Sequence, residues 1–232
     1  MQLLVSVRDL TEARAAWAGG ADLIDLKEPA NGPLGMVSHA VFSEVICELG
    51  HPLSVQLSAA LGEVGDWDGT EVHDLSGVNY CKLGLSRLSV AGGFSAWRRV
   101  RERIDRSAAN PIRWIAVCYA DFEAAAAPLP EDVLQEAIDS GCAGILFDTW
   151  NKSSGKLWEH LSPRVISVYL SQAHAAGLMT ALAGKLGRED VRLARELGAD
   201  VFAVRSAACS GGNRSGSICG QAVAELRQLI NA

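Results

Sequence analysis

The stretch Ala18-Gly19-Gly20-Ala21-Asp22-Leu23-Ile24-Asp25-Leu26-Lys27 contains the fold in miniature. A helical pattern ends at Ala18, glycine offers the left-handed residue that stops a helix, and a short apolar run begins. The phrase returns as Ser140-Gly141-Cys142-Ala143-Gly144 and as Leu197-Gly198-Ala199-Asp200. Working outward from these turns, strands are expected at 3–7, 23–27, 53–58, 80–85, 113–119, 144–149, 179–184 and 201–206. Amphipathic or alanine-rich helices are expected at 10–18, 40–49, 94–107, 131–140, 164–176, 189–197 and 221–230. Asp9-Leu10-Thr11-Glu12 has the pattern of a capping box at the first helix. Strands that are apolar at nearly every position belong to a parallel sheet covered on both faces. Eight strands alternating with helices in 232 residues, without a long linker, predict the α/β class. They fit a single (β/α)8 TIM barrel, one domain over 1–232, better than a doubly wound sheet. The irregular stretches 28–37, 59–70 and 207–216 each follow a strand, so they are expected on the catalytic face.

Composition removes several classes of function. An apolar content of 49% supports a sizeable core, and a net charge of −6 argues against nucleic acid as a partner. The opening Met1-Gln2-Leu3-Leu4-Val5-Ser6-Val7-Arg8-Asp9 reads as a strand, not as an export leader. No run approaches the roughly 20 apolar residues of a membrane span, so a cytoplasmic chain without a membrane partner is expected. The six cysteines include no CxxC pair and are read as reduced, mostly buried thiols. The five histidines, His39, His51, His73, His160 and His174, have no ligand spacing, and no metal site is expected. The apolar content also suggests a buried interface, hence a homo-oligomer.

The basic residues are partitioned in a way that points to chemistry. Sixteen are arginine and only five are lysine: Lys27, Lys82, Lys152, Lys156 and Lys185. Every lysine falls in a strand or in the loop after one, whereas the expected helices carry ten of the sixteen arginines. Arginine cannot lose its proton at workable pH, but a partly buried lysine can be driven into a nucleophilic or proton-carrying state. Asp25 and Lys27 are two apart on one strand and so share a side, and Asp148 ends the sixth strand with Lys152 in its loop. Asp25, Lys27, Lys82 and Asp148 are the strand residues that could carry chemistry, with Lys152, Lys156 and Lys185 in the loops beside them. The plainer alternative is that these lysines only hold phosphate or pair with Asp25 and Asp148, and it weighs most for Lys156 and Lys185. Barrels commonly bind phosphate with the loops after strands seven and eight. Gly184, Arg205, Ser206, Ala207, Gly211 and Gly212 are the candidates here. Trp150 is read either as a pocket wall or as packing, and Asp121 either as a helix cap or as a site residue.

The chain resembles the (5-formylfuran-3-yl)methyl phosphate synthases of methanofuran biosynthesis, over essentially its whole length. The matching phrases are Leu3-Leu4-Val5-Ser6, the 18–29 stretch with Gly32-Pro33-Leu34-Gly35, Ser58-Ala59-Ala60-Leu61-Gly62-Glu63-Val64, Lys82-Leu83-Gly84-Leu85 and Tyr119-Ala120-Asp121. The most specific are Asp148-Thr149-Trp150-Asn151-Lys152 with Gly155-Lys156, Leu182-Ala183-Gly184, and Val204-Arg205 with Gly211-Gly212-Asn213-Arg214-Ser215-Gly216. Glu28 and Lys185 depart from the pattern expected of archaeal members. The resemblance implies a lyase that condenses two glyceraldehyde 3-phosphate molecules with loss of phosphate and water, using no metal and no organic cofactor. It implies Lys27 as the Schiff-base amine, with Asp25, Lys82, Asp148 and Lys152 in proton transfer and substrate binding. On that reading Asp25 balances the charge of Lys27, and Arg205 with the last loop holds the retained phosphate. Two rivals use the same residues: another Schiff-base aldolase or isomerase of phosphotrioses or phosphopentoses, and a non-catalytic phosphosugar-binding barrel.

Overall fold

The computed structural model describes residues 1–50, 55–67, 74–88 and 93–232. His51 and His73, and the first two residues of the expected third strand, lie outside them. The strands are β1 Gln2–Val7, β2 Leu23–Leu26, β3 Gln56–Glu63, β4 Tyr80–Gly84, β5 Arg113–Tyr119, β6 Gly144–Asp148, β7 Met179–Leu182 and β8 Val201–Val204. All pair in parallel with their sequence neighbours, and β8 returns to β1 to close the barrel. The helices are α1 Leu10–Ala18, α2 His39–Leu49, α3 Gly93–Ser107, α4 Phe122–Ala125, α5 Pro130–Asp139, α6 Leu157–His160, α7 Pro163–Ala175, α8 Val191–Glu196 and α9 Gly220–Asn231. The short α4 and α6 are additions to the sequence expectation. Among the described residues, no helix is long and apolar enough to cross a membrane.

The glycine phrase does what its chemistry suggests. Gly20, Gly141 and Gly198 all have positive φ, so each stops its helix and turns the chain toward the next strand. The aspartate that follows two of these turns adds a second device. Asp22 accepts from Leu3 N at 2.7 Å, and Asp200 accepts from Thr180 N at 2.8 Å. Each stitches the start of the preceding strand to its own.

Side chains alternate along the strands. Leu3, Val5, Val7, Ile24, Leu26, Leu83 and Phe147 belong to the apolar layer shared with the helices. Leu4, Leu23, Tyr80, Ile115 and Leu146 form a separate cluster inside the barrel. Continuing that inner alternation toward the carboxyl ends reaches Ser6, Asp25, Lys82 and Asp148, all buried. The barrel thus has an apolar floor and a polar, charged upper layer, and this arrangement positions the site.

Two sequence expectations are corrected here. Residues 59–63, expected in a loop, are strand, and the register with β4 shifts between Ala60 and Glu63. Small residues make the segment look irregular, but its end is fixed by contacts distant in sequence. Glu63 accepts from Tyr119 Oη at 2.5 Å and from Ser86 N at 2.9 Å. The capping box at α1 forms only by half. Asp9 accepts from Glu12 N at 2.9 Å, but Glu12 accepts from Arg8 N and reaches across to Arg205.

Candidate active site

The expected catalytic residues meet at the carboxyl end of the barrel. Asp25, Lys27, Lys82, Asp148 and Lys152 line one pocket together with Ser6, Ser58 and Tyr80. Lys27 follows β2, and its N–H bonds to Val7 O at 2.9 Å, so the strand ladder fixes its backbone. Asp148 is the last residue of β6, and Lys152 folds back on it from the following loop.

The charges pair differently from the sequence expectation, which gives Asp25 to Lys27. Asp25 instead accepts from Lys82 Nζ at 2.5 Å and from Ser6 Oγ at 2.9 Å. Lys27 looks to Asp148, with Nζ 3.8 Å from Oδ2. Asp148 Oδ1 is held by Lys152 Nζ at 2.5 Å and by Thr149 N at 2.8 Å. Lys152 also donates to the Thr149 carbonyl. Of the three candidate lysines in the pocket floor, Lys27 therefore has the weakest anionic contact. At 3.8 Å it has a counter-charge but no hydrogen bond.

Burial dominates its protonation. Desolvation of the ammonium pulls Lys27 from 10.5 down to about 7; Asp148 and Asp25 oppose the shift, and Lys152 and Arg214 add to it. Lys152 is also lowered, first by burial, although Asp148 works against it. Burial alone would raise the Asp148 carboxyl, but Lys152 and Lys27 overcome it and hold the group at about 2. The arrangement therefore places a near-neutral amine beside a permanent carboxylate.

A pH profile follows. Lys27 is protonated below about 7 and free above it, so kcat/KM is expected to rise through that pH. Asp148 is the strongest group holding the ammonium form, so Asp148→Asn should move this acidic limb to lower pH. Rate profiles of the two proteins would show it, and an unmoved limb would assign the titration to another group. The stability sign is the opposite of a stabilising ion pair. An unfolded lysine binds a proton up to about 10.5, so the folding cost of the buried amine is full below about 7 and disappears between about 7 and 10.5.

The phosphate candidates divide. Gly184, Arg205 and Ser206 line the catalytic pocket, whereas Ala207, Gly211 and Gly212 line a neighbouring depression that shares Ser206 and Lys185 with it. Gly184 has φ +95, and a Cβ there would press on Thr149 and Leu157, so glycine is required for the loops to meet. Arg205 is corrected from phosphate ligand to structural clamp. Its Nε donates to Arg214 O at 2.9 Å, and Nη1 donates to Ser6 O and Glu12 Oε2, both at 2.8 Å. Nη2 donates to Glu12 Oε1 at 3.2 Å and Gly216 O at 3.1 Å. Every guanidinium hydrogen is spent on the protein.

The remaining candidates sort by geometry. Lys156 lies away from the pocket, paired with Asp190 at 2.9 Å and with Glu189. Lys185 is exposed at the rim. Asp121 accepts from Trp150 N at 2.6 Å and Asn151 N at 2.8 Å, so it pins the loop that carries Lys152. Burial pushes the Cys81 thiol up to about 12, in keeping with an inert sulfur. Sequence reasoning misses Ser6, Glu12 and Arg214. Ser6 is visible as the polar position in Leu3-Leu4-Val5-Ser6-Val7, and Arg214 as the arginine within the glycine-rich tract.

Fold and site together define a (β/α)8-barrel enzyme built around a buried lysine. Among solved structures the chain is similar to phosphoribosyl anthranilate isomerase from Thermus thermophilus, with TM-score 0.64 and 14% identity, covering 100% of this chain and 98% of that one. It is also similar to KGPDC from Streptococcus mutans, with TM-score 0.63 and 14% identity, covering 99% of this chain and 97% of that one. At such identities these matches support the architecture alone. Sequence is more specific. The pattern of the 4-HFC-P synthase family matches residues 3–227, and the chain belongs to that family. It is 35% identical to the (5-formylfuran-3-yl)methyl phosphate synthase of Methanocaldococcus jannaschii over 99% of both chains. It is 34% identical to that of Methanobrevibacter smithii over the whole of both.

Proposed function

We propose that this chain is a (5-formylfuran-3-yl)methyl phosphate synthase, a lyase acting in methanofuran-type biosynthesis, and that it condenses two glyceraldehyde 3-phosphate molecules through a Schiff base on Lys27. The family supports the reaction. The observation that carries the mechanism is the buried amine of Lys27, lowered to about 7 and 3.8 Å from Asp148. The free amine attacks the aldehyde carbon of one triose, and water leaves to give a protonated imine. That cation draws electrons from the neighbouring carbon and acidifies it. Asp148, held at about 2, is too weak a base to take the proton well and serves instead as the counter-charge of the imine. Lys82 is the group assigned to this proton: it passes one of its own to Asp25 across their hydrogen bond and takes the substrate's in its place. The enamine then adds to the aldehyde of the second triose. Loss of phosphate, loss of water and ring closure follow, and hydrolysis of the imine frees Lys27.

A cytoplasmic homo-oligomer is part of the same proposal. Leu129 and Ile138 at α5, with Val165 and Val168 on the adjoining α7, are the exposed apolar side chains such an assembly would cover. The test of the reaction is direct. Incubation with glyceraldehyde 3-phosphate should yield a product with the ultraviolet absorbance of a furan aldehyde, together with free phosphate. An aldol product without that absorbance would replace this reading with another aldolase.

A further inference from the structure

The mechanism above leaves Arg214 unused. Its Nη2 is shielded from solvent and has no hydrogen-bond partner among the described residues. Arginine cannot relieve this by giving up its proton, so the buried donor calls for an anion. The loop is built to hold it there: Arg205 grips the Arg214 carbonyl at 2.9 Å and the Gly216 carbonyl at 3.1 Å, and Arg8 donates to Ser215 O at 3.2 Å. Two arginines thus fix the backbone of a third, whose side chain lines the catalytic pocket.

The pocket charges show which anion fits. Lys82 is matched by Asp25, Lys152 by Asp148, and Arg205 by Glu12. Lys27, at about 7, is half free of its proton at neutral pH. Of the cations lining the pocket, Arg214 and Lys185 remain without an ion pair among the described residues. Together they present two positive charges, which complement a phosphate monoester dianion.

We propose that Arg214, with Lys185 at the rim, is the receptor for the phosphate of the triose bound at Lys27. The identity of the molecule carrying that phosphate rests on the functional reading above; the anion site does not. The site also couples binding to chemistry. An empty Arg214 disfavours charge on Lys27 and keeps the amine nucleophilic. A phosphate on Arg214 cancels that repulsion and favours the protonated imine that follows.

The test uses the intact protein and inorganic phosphate, without any aldehyde. Phosphate should raise the melting temperature of the wild type, with sodium chloride of equal ionic strength as the control. Arg214→Gln should melt at or above the unliganded wild type, because it removes a partly buried cation without an ion pair among the described residues, and its phosphate dissociation constant should rise at least about tenfold. Equal stabilisation of both proteins by phosphate, or of neither, would overturn the proposal. So would an Arg214→Gln protein that unfolds well below the wild type, since that marks a structural arginine. Failure of the Schiff-base reading would instead appear as absence of a trapped adduct at Lys27, and would leave the phosphate result standing.

Discussion

Lys27→Arg is expected to reduce turnover by about a thousandfold or more, the scale seen when a covalent nucleophile is removed. The substitution keeps a positive charge near Asp148 but supplies no free electron pair, because a guanidinium stays protonated at any workable pH. Charge balance and nucleophilicity are thereby separated. Lys27→Met is the companion variant. It places an apolar chain of similar length where an ammonium is 6% exposed and desolvated, so it should fold at least as stably as the wild type. Borohydride reduction in the presence of glyceraldehyde 3-phosphate should add a triose-derived mass to the wild type at Lys27 and to neither variant. A Lys27→Arg protein with full turnover would end the Schiff-base mechanism.

Arg205→Ala is expected to cost about 3–5 kcal/mol of stability, the range for breaking one side of a buried ion pair. Both Arg205 and Glu12 have side chains only 3% exposed. Removing the guanidinium leaves Glu12 to Arg8 alone and strips donors from the carbonyls of Ser6, Arg214 and Gly216. Burial tends to raise the Glu12 carboxyl, but hydrogen bonds from Arg205 and Arg8 hold it below the ordinary value of 4.5. This contribution is fully present above pH 4.5 and is lost as pH falls through the lowered value. Arg205→Lys should recover little, because one ammonium cannot serve acceptors on a strand, a helix and a loop. Urea denaturation near neutral pH would measure both, and a loss below about 0.5 kcal/mol for the alanine variant would disprove the clamp.

The barrel could be read from the sequence because buried parallel strands are written as uninterrupted apolar runs, and the turns between helix and strand repeat a glycine phrase. The lysines were legible for a related reason. A chain that prefers arginine on its helices has kept lysine where an ammonium can be made to give up its proton. The pairing of those lysines was not legible. Asp25 and Lys27 are two apart at the end of β2, yet Asp25 bonds to Lys82, 57 residues away on β4, across the intervening β3. Nor could sequence divide the labour between Arg205 and Arg214. Both sit in the last loop region, and only the buried carboxylate of Glu12 shows which one is spent. Helices of four residues, such as α4 and α6, are shorter than the period that would reveal them. The end of β3 was hidden because the Glu63 carboxylate is tied to Tyr119 and Ser86, both distant along the chain.

The clamp joins residues 193 and 199 positions apart across the β1–β8 seam. While the chain is still leaving the ribosome, position 27 is an ordinary solvated lysine, protonated and harmless amid the aldehydes of the cell. The nucleophile comes into being only when the final strand arrives and the ring seals, so reactivity here is a property of the finished fold and of no part of it.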